Sequence, residues 1–346
     1  MIGLKDFLVK IKSELLADRP LVLAMIAEKK GSAPRGTGAH MLILQSGETI
    51  DTIGGGILEY LAVEQAKANL AEKKSAIKDF SLNNKTAAQI GMVCGGQIKV
   101  LLKYLDKNDL PQIETAINLL GSGQKAVVKI TWQKEPAQFS FIVLPYTEKM
   151  QLKHKSLLQI DETGGCYMEV LRQNPTVYLF GGGYVAQEVA KLLPNLEFEY
   201  VVIEERSEFA NRNYFPQASD IIITPYEEFA AKVQMKNTDF AVVITSGHEK
   251  DTVVLNELLK IKPAYIGAIG SRHKKAFVEK FLREQGYGEK AIKSIIMPIG
   301  LDIKAQTPAE IAISIAAQLI EKRAQYYVHF SFERSKEKRT KQKKPF

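Results

Sequence analysis

The chain has little of what staples a structure or plates it against metal: two cysteines, five histidines and one tryptophan in 346 residues. The cysteines, Cys94 and Cys166, stand more than 70 residues apart. That is no disulfide framework, and it agrees with a reducing compartment. With no C-x-x-C pair and no Cys/His cluster, a structural zinc site is disfavoured. No apolar run approaches the roughly 20 residues needed to cross a bilayer. The opening MIGLKDFLVKIKSELLADRP mixes charge into a helical period and lacks the apolar core of a signal peptide. Together these absences predict a cytoplasmic protein with no membrane partner.

A single-sign charge excess is also missing from the body of the chain. The formal charge is +8, but SFERSKEKRTKQKKPF, the last sixteen residues, holds seven basic and two acidic side chains. Five of the eight charges therefore sit in a tail that reads as a solvated extension, with a phosphate-binding arm as the alternative. The near-neutral remainder argues against nucleic acid as principal partner.

What is present is an α/β pattern too long for one comfortable core. Residues 3–17 have helical periodicity, LVLAMIAEKK (21–30) and MLILQ read as strands, and GETIDTIGGG carries a short strand into three glycines. ILEYLAVEQAKANLAEKK follows as a helix with Ile57, Leu61, Ala62, Gln65 and Ala68 at helical spacing. A further helix is expected around 86–92. QIKVLLKYL alternates as a half-buried strand. A helix from about 110, the hairpin-like pair KAVVKITW and QFSFIVLPY, and the strand CYMEVL come next. From 176 onward TVYLF, EYVVIE, DIIIT, FAVVIT and AYIGAIG alternate with helical stretches, and such continuous apolar strands are those of a parallel sheet covered on both faces. The expected fold is a small N-terminal mixed α/β domain (1–106), a connecting helix and β segment (107–175), a C-terminal Rossmann-like doubly wound parallel sheet (176–327) and a basic tail (328–346).

TVYLFGGGYVAQEVAKLL places Gly181, Gly183 and Ala186 in a G-x-G-x-x-A pattern between strand and helix. Gly181 permits the tight turn, Gly183 admits a pyrophosphate to the backbone, and Ala186 lets strand and helix pack closely. The first N–H groups of the helix then face the anion. Glu204 ends the next strand, where an acidic side chain commonly meets a ribose hydroxyl, and Arg206 would accommodate a 2′-phosphate. NAD or NADP is the cofactor such a turn takes; a Rossmann-type fold without a dinucleotide fits the same residues. Ser246, His248 and Ser271, at strand ends, are the hydride-transfer candidates, His273 a further histidine nearby; none has a partner visible in sequence.

Three glycine clusters crowd the first domain: GSAPRGTG (31–38), Gly54-Gly55-Gly56 and Cys94-Gly95-Gly96. Glycines bring bare N–H groups close to a ligand, and a glycine turn opening a helix makes an anion nest. Arg35 could clamp a phosphate, or sit on the surface of a hairpin loop. Glu59 suits the first helical turn through the dipole alone. Cys94, flanked by glycines a core cysteine would not need, is the candidate thiolate, able to ligate a soft metal or carry sulfur. Cys166 has the weaker claim.

In order along the chain, GSAPRGTGAHM, GGGILE, GMVCGGQIKVLL, LFGGGYVAQEVAKLL, VVIEERSEFANRNYFP, ITSGHEKD, YIGAIGSRHKKA and IGLDIKAQTPAEIAISIAAQLI resemble the XdhC/CoxI family, accessory proteins for xanthine dehydrogenase-type molybdenum enzymes. The likeness runs to about residue 325. It implies a non-catalytic chaperone that binds the molybdenum–pterin cofactor as cargo, supports its sulfuration with a cysteine desulfurase, and assists insertion into a xanthine dehydrogenase-type apoenzyme. By the same likeness Cys94 is the contact to molybdenum or its sulfur. Ser32, Pro34, Arg35 and Gly54–Gly56 shape the pterin-phosphate site, with Glu59 beside it. Where family members often carry His after the glycine turn, this chain has Tyr184, which neither titrates near neutrality nor readily ligates metal. The residues also admit an NAD(P)-dependent oxidoreductase working through the C-terminal domain, or a pure docking module. A homodimer suits a chain with this little core per domain.

Overall fold

The computed structural model describes residues 3–31, 35–81, 96–135, 137–147, 150, 152 and 156–328. The chain divides between Gln173 and Asn174 into two compact units.

The first unit opens with α1 (Leu4–Leu16) and β1 (Leu21–Lys30), then β2 (His40–Leu44), β3 (Thr49–Asp51), α2 (Gly56–Glu72), β4 (Ala76–Ser81) and β5 (Gln97–Leu105). These strands form an antiparallel sheet in the order β3-β2-β1-β5-β4. After α3 (Leu110–Gly121) come β6 (Ala126–Gln133), β7 (Gln138–Pro145), β8 (Ser156–Ile160) and β9 (Gly164–Leu171), a second sheet ordered β7-β6-β9-β8. Central β1 reads as an unbroken apolar run because both of its faces are covered. Val22, Ala24 and Ile26 meet Leu58, Ala62 and Ala66 of α2. Leu21, Leu23 and Met25 meet α1, α3 and side chains of the second sheet. The two sheets share a buried polar tie as well. Glu169 of β9 takes the Tyr167 hydroxyl at 2.6 Å and pairs with His40 of β2 at 2.8 Å.

In α2 the buried face differs from the one the spacing predicts. Leu58, Ala62, Ala66 and Asn69 point inward, while Leu61 is exposed. Ile57 and Leu58, like Leu61 and Ala62, are adjacent apolar pairs, so periodicity alone leaves the rotation about the axis open; packing on the sheet fixes it. The helix expected around 86–92 lies outside the described residues.

The second unit runs β10 (Val177–Phe180), α4 (Tyr184–Leu192), β11 (Tyr200–Glu204), β12 (Asp220–Ile223), α5 (Phe229–Lys232), β13 (Phe240–Val243), α6 (His248–Ile261), β14 (Tyr265–Ala268), α7 (Arg272–Glu284), α8 (Glu289–Ile292), β15 (Ile295–Ile296) and α9 (Pro308–Val328). Its strands are all parallel, ordered β12-β11-β10-β13-β14-β15. Counted within the unit this is 3-2-1-4-5-6, the order of dinucleotide-binding sheets, with its crevice where the order reverses between β10 and β13. Alternate residues of β10 serve opposite layers. Val177 and Leu179 pack with α4 and α9, Tyr178 and Phe180 with Phe229, α6 and α7. Among the described residues no helix is long and apolar enough to cross a membrane.

Candidate functional site

In the first unit the strand register gathers the glycine clusters. Lys30 at the end of β1 pairs with Gln97 at the start of β5, and Ser81 at the end of β4 pairs with Gln97 as well. Met41, next to the start of β2, pairs with Asp51 at the end of β3. The β1–β2 connection with Arg35, the β3–α2 connection with Gly54–Gly56, and Gly96 before β5 therefore lie at one end of one sheet. Ser32, Pro34, Cys94 and Gly95 fall outside the described residues.

Gly54, Gly55 and Gly56 all have positive φ (132°, 72° and 61°), a run only glycine sustains. Glu59, in the first turn of α2, reaches back to hold that run. Its Oε2 accepts the Thr52 hydroxyl at 2.6 Å and the Gly55 N–H at 3.0 Å. Thr52 Oγ1 in turn accepts the Gly54 N–H at 3.0 Å. Glu59 is thus a clasp on the turn in addition to suiting the dipole, and Thr52 is its unforeseen partner. Glu59→Ala is expected to cost about 1 kcal/mol, the usual worth of a helix-cap contact. Amide exchange at residues 54–56 should accelerate in that variant, and Glu59→Gln, which keeps an acceptor, should restore most of the protection.

Cys166 lies on β9 in an open polar groove of about 520 Å³ beside Thr131 and Gln159. Burial pushes its thiol up, against a smaller opposing pull from Lys129, so it rests as thiol rather than thiolate.

In the second unit the glycine turn separates into two kinds of glycine. Gly181 has φ 121°, and a Cβ there would lie 2.2 Å from the carbonyl oxygen of Ile244; at Gly182 it would lie 2.6 Å from that of Phe209. Both are required by the fold. Gly183, at φ −69° and ψ 179°, would place a Cβ with no atom within 4 Å. Its lack of a side chain is not a packing need, and the space over it is where an anion would approach α4. Tyr184, next to it, is 79% exposed.

Glu204 is 1% exposed. Its Oε2 accepts the Gly182 N–H at 2.7 Å and Arg206 Nη2 at 3.1 Å. Its Oε1 accepts Arg206 Nε at 2.9 Å and the N–H groups of Glu205 and Arg206 at 3.1 and 3.2 Å. Burial alone would raise this carboxyl; the Arg206 guanidinium and the Gly182 N–H outweigh it and hold it below the ordinary range. The Arg206 guanidinium sits over the Phe209 ring, 4.2 Å from its centre. The pair expected at a ribose therefore braces the turn itself. His248 begins α6, Ser246 is exposed just before it, and Ser271 caps α7 through the Lys274 N–H at 3.3 Å.

Sequence reasoning missed the groups that line the ends of β13 and β14. Fully buried Asp251 accepts the Thr245 hydroxyl at 2.5 Å and forms an ion pair with Lys274, whose side chain is 9% exposed. Lys250 pairs with Glu205, beyond the end of β11. The only signal in the sequence was charge clustered just after two strands, in GHEKD and GSRHKK. Among the described residues no group of three or more His, Cys, Asp or Glu side chains is placed to hold a metal.

A mixed α/β unit with glycine-bearing connections at one sheet end, followed by a parallel 3-2-1-4-5-6 sheet with a braced glycine turn, defines a two-unit protein with a Rossmann-type second half. Family models agree in detail: one described as the XdhC and CoxI family matches residues 15–81, and one described as the XdhC Rossmann domain matches 177–319. Together they span more than half of the chain, which belongs to the XdhC/CoxI family. Among relatives is a probable xanthine dehydrogenase component of Bacillus subtilis strain 168, 26% identical over 321 residues, 87% of this chain and 93% of that protein. Another is the "Molybdenum cofactor insertion chaperone PaoD" of Escherichia coli K12, 23% identical over 310 residues, 88% of this chain and 84% of that one. A crystal structure described as a xanthine dehydrogenase from Bacillus halodurans shares the fold, with a TM-score of 0.76 and 24% identity over 92% of this chain and 96% of its own.

Proposed function

We propose that the protein is an accessory factor for a xanthine dehydrogenase-type molybdenum enzyme, holding the molybdenum–pterin cofactor as cargo and passing it to the apoenzyme. Family membership and the likeness to a molybdenum cofactor insertion chaperone support the accessory role. The observation that carries the cargo reading is the convergence of the glycine connections at one end of the first sheet, with the positive-φ turn at Gly54–Gly56 held open by Glu59. The Gly54 and Gly55 N–H groups are taken by Thr52 and Glu59, so the N–H groups beyond them, at the start of α2, are the ones that would face the phosphate of a pterin ligand, with Arg35 on the connection at the same sheet end. In this reading Ser32, Pro34, Gly95 and Gly96 complete the cradle and Cys94 offers the soft atom for molybdenum or its sulfur. A cysteine desulfurase supplies that sulfur, and the work takes place in the cytoplasm, with a homodimer as the assembly.

Purified anaerobically from its own host, the protein is expected to carry molybdenum and pterin in near 1:1 ratio. Cys94→Ala is expected to lose most of the molybdenum while its melting temperature stays unchanged. Full molybdenum loading and full support of sulfuration in that variant would remove Cys94 from the site, and absence of pterin from the wild type would remove the cargo reading.

A second reading has its own observation: the open space over Gly183 at the reversal of the parallel sheet suits a dinucleotide. Calorimetric titration with NAD(H) and NADP(H) decides it, since an NAD(P)-dependent oxidoreductase must show saturable binding that Gly183→Val abolishes.

A further inference from the structure

The second sheet of the first unit is bounded by β7 on one side and β8 on the other, and the two edges differ in kind. β7 closes on Pro145, and its Val143 N–H donates to Gln112 Oε1 of α3 at 2.7 Å. In the first sheet, edge strand β3 is three residues long and ends on Asp51, and edge strand β4 carries Lys78 and Asp79. Proline, charge, shortness and a covering helix are devices that keep a sheet edge from pairing with another chain. β8, Ser156-Leu157-Leu158-Gln159-Ile160, has neither charge nor proline. We propose that β8 is the seam of a symmetric dimer, pairing antiparallel with β8 of a second copy of this chain.

The free backbone of the strand is the leading observation. The Asp161 N–H donates to the Gly164 carbonyl at 3.0 Å, so the bonded pairs alternate back along the ladder to Gln159–Cys166 and Leu157–Met168. The backbone N–H and C=O groups of Ser156, Leu158 and Ile160 therefore face away from β9, and they have no partner among the described residues. Side chains are open at the same place: Leu157 is 39% and Ile160 45% exposed. Leu158 packs against the core of the unit, which anchors the strand in its sheet.

Three features select a second copy as the occupant. The strand is uncharged, so laying it against itself juxtaposes no like charges, and it offers no charge by which a different protein would be chosen. Self-pairing also has a register that uses every free group. With Leu158 opposite Leu158 of the second copy, Ser156 stands opposite Ile160 at both ends, and all three outward residues exchange both of their bonds. Lastly, such a contact uses one patch twice and closes on a two-fold axis, and the capped β7 edge keeps the sheet from extending further. Exposed Ile160 gains a cross-strand neighbour in the pairing. The seam gives the homodimer of the proposed assembly its contact surface and rests on that part of the reading, while the cargo plays no part in it.

Size-exclusion chromatography with light scattering on the full chain is expected to give twice the mass of one chain. Ile160→Lys, which puts a natural edge-guarding charge in the seam, should raise the dissociation constant of that dimer about tenfold or more. Oxidation reads the register. Leu158→Cys sets two thiols opposite each other within disulfide reach and should give a covalent dimer above the background of the wild type, which keeps Cys94 and Cys166. Gln159→Cys, whose two copies are offset along the strands, should give none above that background. A monomer at concentrations up to about 100 µM overturns the proposal. So does an unaltered dissociation constant in Ile160→Lys, or a cross-link in Gln159→Cys that Leu158→Cys lacks. If Ile160→Lys does not fold, the two cysteine variants decide the matter alone. Molybdenum and pterin analysis of the same preparations separates the readings: cargo on a monomer removes the seam and leaves the cargo reading, and a β8-paired dimer from the native host without pterin does the reverse.

Discussion

Gly181→Ala is expected to lower the melting temperature of the second unit by roughly 10 °C, while Gly183→Val leaves it within about 2 °C of the wild type. At Gly181 two costs combine. A side chain at φ 121° is strained, and its Cβ would stand 2.2 Å from the Ile244 carbonyl oxygen, against the backbone that follows β13. Strain and overpacking of this kind cost ~1–3 kcal/mol each. Neither can be relieved by a rotamer change, because the obstacle is backbone at the centre of a parallel sheet. Gly183 carries neither cost: its φ and ψ are those of an extended residue, and space is open around it. Circular dichroism melts of the two variants give the comparison directly. A Gly183 variant that unfolds as readily as the Gly181 variant would show that the third glycine serves the fold and not a ligand.

Glu204→Gln is expected to destabilise the second unit by about 3 kcal/mol at neutral pH, the scale for breaking a buried charge pair from one side. Five donors converge on the carboxylate, two of them from the Arg206 side chain. An amide offers a single acceptor oxygen and turns its own N–H groups toward these donors. The effect carries a pH signature. The folded carboxyl titrates below its ordinary value, so its contribution is fully present above the unfolded pKa of about 4.3 and is lost as pH falls through the lower folded value. The stability gap between wild type and Glu204→Gln should therefore be flat from pH 6 to 8 and close below about pH 4. Urea unfolding at a series of pH values measures it; a gap independent of pH down to 3 would show that the carboxylate charge contributes nothing.

Much of the fold was legible because burial on both faces writes itself into composition. TVYLF, EYVVIE and FAVVIT are apolar at consecutive positions, which only a covered parallel strand requires, and they became β10, β11 and β13. The pairing of KAVVKITW with QFSFIVLPY was equally legible, as β6 and β7 join through a short connection. The rotation of α2 was not, since its apolar residues come in adjacent pairs. Glu204 was found at its strand end, but its partners within the protein were not. Position at a strand end announces an acid near the glycine turn, and only coordinates show that Gly182 and Arg206 take its oxygens.

What the sequence determined by itself were local matters: strand and helix types, the glycine turn, the tail charge and the motifs that mark the family. Tertiary structure decided which distant groups meet. Asp251 and Lys274 are 23 residues apart on different helices and pair only because both helices pack on one face of the sheet. His40 and Glu169, 129 residues apart, meet across two sheets. The glycine clusters near residues 35, 55 and 96 share one end because β1 pairs antiparallel with both β2 and β5, a register set by long-range hydrogen bonding. Local chemistry depends on neighbours along the chain, whereas a site depends on neighbours in space, and those are chosen by burial of the sheet faces as a whole.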